Sequence, residues 1–213
     1  MPLSHIALRR AVIAAARAMN GLGINQGSSG NVSVRAGKGF LITPTALPYD
    51  ATTPGDIVAM ALDGSHRGPR RPSSEWRFHR DIYAARPDAG AVVHTHAVHA
   101  TALACLRKPI LRFHYMVALA GGEDIRCAPY ATYGTQELSD HALAALEGRK
   151  ACLLANHGMI ALGADLDAAL ALALEVETLA RQYLLALQCG GPKLLTRAQM
   201  GEALAKFADY RPG

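Results

Sequence analysis

His94-Thr95-His96 closes an apolar run over 89–93. Alternate side chains on a strand share a face, so two imidazoles at this spacing can grip one cation. A His-x-His pair also suits a polar strand end in a chain with nine histidines, so a ligand from elsewhere has to support it. His157 is the candidate. It follows the hydrophobic stretch 151–155 and precedes Gly158, where a free backbone could turn sharply and leave the ring at a sheet edge; a lone histidine there equally serves as a structural residue. Three neutral imidazoles would leave coordination positions open, as in catalytic zinc sites and unlike structural ones.

Three further groups could join such a site. Ser73-Ser74-Glu75 stands at a helix start, where free amides attract anions, although a serine cap followed by an acid is also ordinary helix chemistry. Gly27-Ser28-Ser29-Gly30-Asn31 offers small residues and backbone amides suited to phosphate, yet has neither a Walker lysine nor a dinucleotide fingerprint and reads equally as a turn. Tyr115, in Arg112-Phe113-His114-Tyr115-Met116, could donate a proton or simply pack.

The elements that would position these groups follow from periodicity and punctuation. A helix capped by Ser4 runs to Asn20-Gly21, followed by a glycine-rich loop over 21–30. Strands are expected at 32–35 and 40–43 across a turn, at 56–62, at the run ending in His94 and His96, and at 151–155. Helices are expected at 74–85, cut by Pro87, at 99–105, and from a Ser139 cap to Glu147. A long helix capped by Asp165 or Asp167 ends at Gly190-Gly191, and Thr196-x-x-Gln199 forms a capping box ahead of Met200, Leu204 and Phe207 on one face. Strands interspersed with helices make this an α/β chain.

Composition narrows the class. With 213 residues, half of them apolar, the chain can bury a core as one domain spanning 1–213. Cys105, Cys127, Cys152 and Cys189 are scattered without a Cys-x-x-Cys, which gives no thiolate zinc site and suggests reduced thiols in the cytoplasm. The apolar region 164–187 carries too many charges to span a bilayer, and the net charge of +5 is too dispersed for a nucleic-acid surface.

Together the motifs identify a resemblance. Gly27-Ser28-Ser29-Gly30-Asn31-Val32-Ser33-Val34-Arg35, Leu41-Ile42-Thr43-Pro44-Thr45-Ala46-Leu47-Pro48-Tyr49 and Pro72-Ser73-Ser74-Glu75-Trp76-Arg77-Phe78-His79 occur in order, ahead of the His94-x-His96 stretch. His114-Tyr115-Met116, Cys127-Ala128-Pro129-Tyr130-Ala131-Thr132-Tyr133-Gly134-Thr135 and Asn156-His157-Gly158 complete the set, and the chain resembles the class II aldolase/adducin family over nearly its whole length. The resemblance implies a class II aldolase/adducin-like fold, with a central mixed, mostly antiparallel sheet flanked by helices, and a homotetramer with active sites between protomers. It implies zinc held by His94, His96 and His157, with Glu75 as a catalytic carboxylate that can also approach the metal. It also implies a phosphate site of Gly30, Asn31, Thr45, Ala46, Ser73 and Ser74. Tyr115 would come from a neighbouring protomer, and Tyr133, Phe207 and Tyr210 would enclose the aldehyde end. Family members often have glycine after the threonine matching Thr45; here the Ala46 methyl group restricts backbone approach to a phosphate.

The expected chemistry is cleavage of a ketose 1-phosphate to dihydroxyacetone phosphate and an aldehyde. Candidate substrates are L-fuculose 1-phosphate, its D-ribulose analogue and 5-deoxypentulose phosphates. A divalent cation stabilises an enediolate as a Lewis acid, so no Schiff-base lysine is required. Glu75 would act on the hydroxymethyl carbon, helped by a pKa raised through burial, and Tyr115 on the aldehyde oxygen. Decarboxylase and dehydratase relatives would use the same groups. Epimerases carry an aspartate where this chain has Met116, and an adducin-like interaction module would have lost the metal residues that are retained here.

Overall fold

Alternation along the strands decides where the helices pack. On β1 (Asn31–Ala36), Val32 and Val34 enter one core, whereas Asn31 and Ser33 alternate with them. On β5 (Ala91–Thr95), Ala91 and Val93 join that same core, and Val92 joins a second core across the sheet. The computed structural model describes residues 4–209, and within them both faces of the sheet are covered.

The first face receives α1 (Ile6–Gly21), α3 (Val98–Cys105) and α5 (Leu166–Gln188), with α6 (Arg197–Asp209) adding Met200, Leu204 and Phe207. The second face receives α2 (Trp76–Ala85) and α4 (Gln136–Ala145), through Phe78, Ile82, Tyr83, Leu138 and Ala142. Cutting a fully buried side chain such as Ile82 back to alanine would cost about 2–5 kcal/mol.

Eight strands lie in the order β4 (His66–Arg67), β3 (Val58–Ala61), β2 (Gly39–Ile42), β1, β5, β8 (Gly158–Gly163), β7 (Ala151–Leu154), β6 (Arg126–Ala128). Among the described residues only the β6–β7 pairing is parallel, so the mixed, mostly antiparallel sheet implied by the resemblance is present. β4, β6 and β8 have no counterpart in the sequence reading. β4 and β6 are too short to show a period. β8 is covered by helices on both faces and so reads as an unpatterned apolar run.

Capping corrects two expectations and decides between the alternatives of a third. α1 opens at His5, in a left-handed conformation with φ 57°, and Ser4 offers its carbonyl to Arg9 Nε at 2.9 Å instead of a side-chain cap. α4 is capped by Thr135, which accepts from the Leu138 amide at 3.2 Å, so the helix starts four residues ahead of a Ser139 cap and ends at Ala145, short of Glu147. Ser139 sits buried inside that helix and donates to Asp81 Oδ2 at 2.6 Å. Asp165, not Asp167, caps α5, accepting from the Ala168 amide at 2.8 Å. The Thr196–Gln199 capping box forms as expected, with the Thr196 amide donating to Gln199 Oε1 at 2.8 Å and the Gln199 amide to Thr196 Oγ1 at 3.2 Å. Among the described residues no helix is long and apolar enough to cross a membrane.

Candidate active site

Three neighbouring backbone segments bring the histidines together. His94 lies in β5, His96 follows its end, and His157 occupies the turn from β7 to β8, the strand that pairs with β5. Two glycines make this closeness possible. A Cβ on Gly158 would stand 2.4 Å from the Thr95 carbonyl oxygen and 2.9 Å from the His96 ring, and one on Gly30 would stand 2.5 Å from the His94 carbonyl oxygen. Gly158 thus serves close approach. The left-handed turn residue is Asn156, φ 55°, and not the glycine as the sequence reading had it.

Glu75, the N-cap residue of α2, completes the group. One donor atom from each of Glu75, His94, His96 and His157 lies within 4.8 Å of all the others. Glu75 Oε2 is 3.1 Å from His94 Nε2, Glu75 Oε1 is 3.1 Å from His157 Nε2, and the Nε2 atoms of His94 and His96 are 3.1 Å apart. Donors on a tetrahedral ion with bonds of about 2.0 Å stand about 3.3 Å apart, so this spacing fits a small divalent cation. His94 Nδ1 donates to the Met159 carbonyl at 2.9 Å, which leaves the Nε2 lone pair for the site. Among the described residues Glu75 Oε1 is buried with no hydrogen-bond partner beyond its approach to His157 Nε2, as expected of an oxygen that faces a cation or a reacting proton.

The electrostatics correct one expectation. Burial does push the Glu75 carboxyl up, but the imidazoles of His94 and His157 outweigh it and hold the carboxyl well below its usual range. His96 is lowered to about 4, by burial first and then by His94 and His157, and His79 to about 3, by burial and then by His94.

A cavity of about 380 Å³ opens over this cluster. Ser74, Glu75, His96, Tyr133 and His157 line it, joined by Tyr130, which the sequence reading quoted in a motif but gave no role. Asn31 is buried behind it and donates from Nδ2 to Glu75 Oε2 at 2.9 Å. The antiparallel bridge between Pro44 and Pro72 joins the two segments: the Thr45 amide donates to the Arg71 carbonyl at 3.2 Å and the Ser73 amide to the Thr43 carbonyl at 3.0 Å, while Ser73 Oγ accepts from the Glu75 amide at 3.3 Å. Ala46 sits at φ 53°, a conformation that favours glycine. Tyr115 does not line the cavity: it is exposed and stacks on Phe207 with ring centroids 6.2 Å apart. Phe207 also packs against the first core, and Tyr210 lies outside the described residues.

Behind Glu75 lie His79, Ser33 and Tyr83, buried side chains to which the sequence assigned no role. His79 Nε2 is 2.5 Å from Asn31 Oδ1, and Ser33 Oγ is 2.6 Å from His79 Nδ1 and 2.8 Å from the Tyr83 hydroxyl. That 31 and 33 share a strand face and 75, 79 and 83 a helix side is visible in the sequence, but that these two sets lie against each other is not.

Three histidines and one carboxylate that could hold a metal ion thus lie on a helix-flanked, mostly antiparallel sheet, and the fold is that of the class II aldolases. The profile of the family described as Class II Aldolase and Adducin N-terminal domain matches residues 10–184, and the chain belongs to that family. It is 60% identical over 210 residues to a 5-methylthioribulose-1-phosphate/5-deoxyribulose-1-phosphate aldolase of Rhodospirillum rubrum, covering 99% of this chain and 95% of that one. An L-fuculose phosphate aldolase of Escherichia coli K12 is 50% identical over 204 residues, covering 95% of each chain. The solved structure of an L-fuculose 1-phosphate aldolase superposes with a TM-score of 0.93 at 39% identity, over 98% of each chain.

Proposed function

We propose that this protein is a ketose-1-phosphate aldolase, acting as one domain over residues 1–213, and that its substrate is a 5-deoxypentulose 1-phosphate of the 5-deoxyribulose or 5-methylthioribulose type. The 60% identity to the aldolase named for those two sugars carries the choice of substrate. L-Fuculose 1-phosphate is the second reading, supported by relatives near 50% identity.

His94, His96 and His157 are the proposed metal ligands, with Glu75 near enough to approach the ion. Zinc is the proposed ion, since three imidazoles with an open position suit it. When bound it would act as a Lewis acid toward the negative charge that develops on the ketone oxygen. The phosphate would rest against Gly30, Asn31, Thr45, Ala46, Ser73 and Ser74, with backbone amides supplying donors.

In the synthetic direction the ionised Glu75 would take a proton from the hydroxymethyl carbon C3 of dihydroxyacetone phosphate, the enediolate's electron pair would form the C3–C4 bond to the aldehyde, and Tyr115 would give its proton to the aldehyde oxygen. Cleavage runs these steps in reverse, and exchange with solvent resets the two protons between turnovers. Asn31 occupies Oε2, so the proton is assigned to Oε1, the oxygen without a hydrogen-bond partner. Tyr115 stands outside the cavity of its own chain, which fits its donation to a neighbouring protomer's site in a homotetramer. Tyr133 would enclose the aldehyde end from within the chain, and the cytoplasm is the proposed compartment.

A coupled assay for dihydroxyacetone phosphate across a ketose 1-phosphate panel tests the reading. The 5-deoxypentulose phosphates should be cleaved with the highest kcat/KM. Preference for L-fuculose 1-phosphate would move the assignment to the second reading, and loss of carbon dioxide from a phosphorylated sugar acid instead would replace both.

A further inference from the structure

Behind the candidate base runs a buried, alternating line of five polar side chains: Glu75, Asn31, His79, Ser33 and Tyr83. All five are buried, and His79 and Ser33 have no exposed surface. Period two on β1 places Asn31 and Ser33 on one face, and the spacing of 75, 79 and 83 places the other three on one side of α2, so the two sets interdigitate like the teeth of a zip.

The chemistry of the line fixes its direction. An ionised carboxylate only accepts, so the Asn31 amide must turn Nδ2 toward Glu75 and Oδ1 toward His79. Asn31 Oδ1 in turn only accepts, so the His79 proton must sit on Nε2. His79 Nδ1 then bears the lone pair and accepts from Ser33 Oγ, which leaves Ser33 to accept from the Tyr83 hydroxyl. Every donor in the line points toward Glu75. The amide is thus set from both ends: a flip would put oxygen against oxygen at Glu75 and N–H against N–H at His79, so His79 supplies the second restraint on the group that holds the carboxylate.

We propose that His79, held in its Nε2–H tautomer by Ser33 and Tyr83, is a positioning residue for the reaction: it locks the Asn31 amide so that Oε2 of Glu75 is fixed and Oε1 is the oxygen that exchanges the proton. The inference rests on Glu75 as the base. It adds a residue that touches neither substrate nor metal ligand through a hydrogen bond, and that acts only through Asn31.

Two measurements test it. Long-range proton–nitrogen NMR on protein labelled with ¹⁵N-histidine, the His79 signal assigned by its loss in His79→Gln, should give the Nε2–H tautomer; an Nδ1–H tautomer would overturn the proposal. In kinetics, His79→Leu should lower kcat by about 10-fold or more with KM and metal content near those of wild type. His79→Gln keeps a donor for Asn31 Oδ1 and should restore kcat to within a few-fold. Equal kcat loss in the Leu and Gln variants, or none in His79→Leu, would contradict a positioning role. If His79→Leu does not fold, the tautomer and the Gln variant still decide. Failure of the Glu75 assignment is seen separately, as an active Glu75→Gln, whatever the His79 spectrum.

Discussion

His94 Nδ1 donates to the carbonyl oxygen of Met159, 2.9 Å away on the adjacent strand β8. A backbone group one residue from the paired position, Ile160, therefore selects the tautomer that turns Nε2 toward Glu75 and His96. The ladder that holds the sheet together also orients the ring, and this is why the centre can be preformed in the chain alone.

Glu75 is assigned to proton exchange, and the three imidazoles to the metal. Glu75→Gln removes the basic oxygen but retains the shape of the side chain. The variant should keep its metal, measured by atomic absorption, and lose most turnover, a drop of roughly 10²–10⁴-fold in kcat. Full activity would remove Glu75 from this role.

Ala46 occupies a left-handed conformation, φ 53°, beside the proposed phosphate site. An alanine there costs about 1–2 kcal/mol, partly offset when glycine is introduced because glycine loses more entropy on folding. Ala46→Gly should therefore raise stability by up to about 1 kcal/mol, or roughly 2–4 °C in thermal midpoint for a chain of this size. It should also lower KM for the phosphorylated substrate, as backbone approach is eased. A fall in thermal midpoint would show that the strain is relieved elsewhere.

Acid should weaken the fold through His79. Its pKa is lowered to about 3 in the folded protein against about 6.5 in the unfolded chain, so between those values the unfolded chain binds more protons. The contribution is complete above about pH 6.5 and declines as the pH falls toward about 3, by at most about 1.4 kcal/mol per pH unit. Glu75, whose pKa is also lowered, adds a loss of the same sign at the acidic end. Urea unfolding of metal-free protein across this range should give a shallower pH dependence for His79→Gln than for wild type. Identical slopes would mean that His79 does not titrate on unfolding.

Much of this site could be read from residue types. His94-x-His96 on a strand, His157 after a strand and Glu75 at a helix start each had a chemical reason for their place, and the structure brings the four together. The sheet was partly legible where polar residues alternate with apolar ones, as at 32–35. It was not at β8, because helices cover both of its faces and no alternation survives. The Met159 carbonyl and the His79–Ser33–Tyr83 line were hidden for a different reason: they depend on which strand and which helix lie side by side, a tertiary fact that no local spacing reports. The lowered pKa of Glu75 was likewise invisible, since burial alone argues for the opposite shift and only the nearness of His94 and His157 reverses it.

The central claim is that the Glu75, His94, His96 and His157 cluster is the metal centre of an aldolase. The most direct measurement follows release of dihydroxyacetone phosphate from 5-deoxyribulose 1-phosphate by the purified protein before chelation, after chelation, and after a divalent cation is added back. Cleavage that disappears on chelation and returns with the cation is the predicted result. Cleavage that survives complete removal of metal, or its absence from the metal-loaded protein across the ketose 1-phosphate panel, would contradict it.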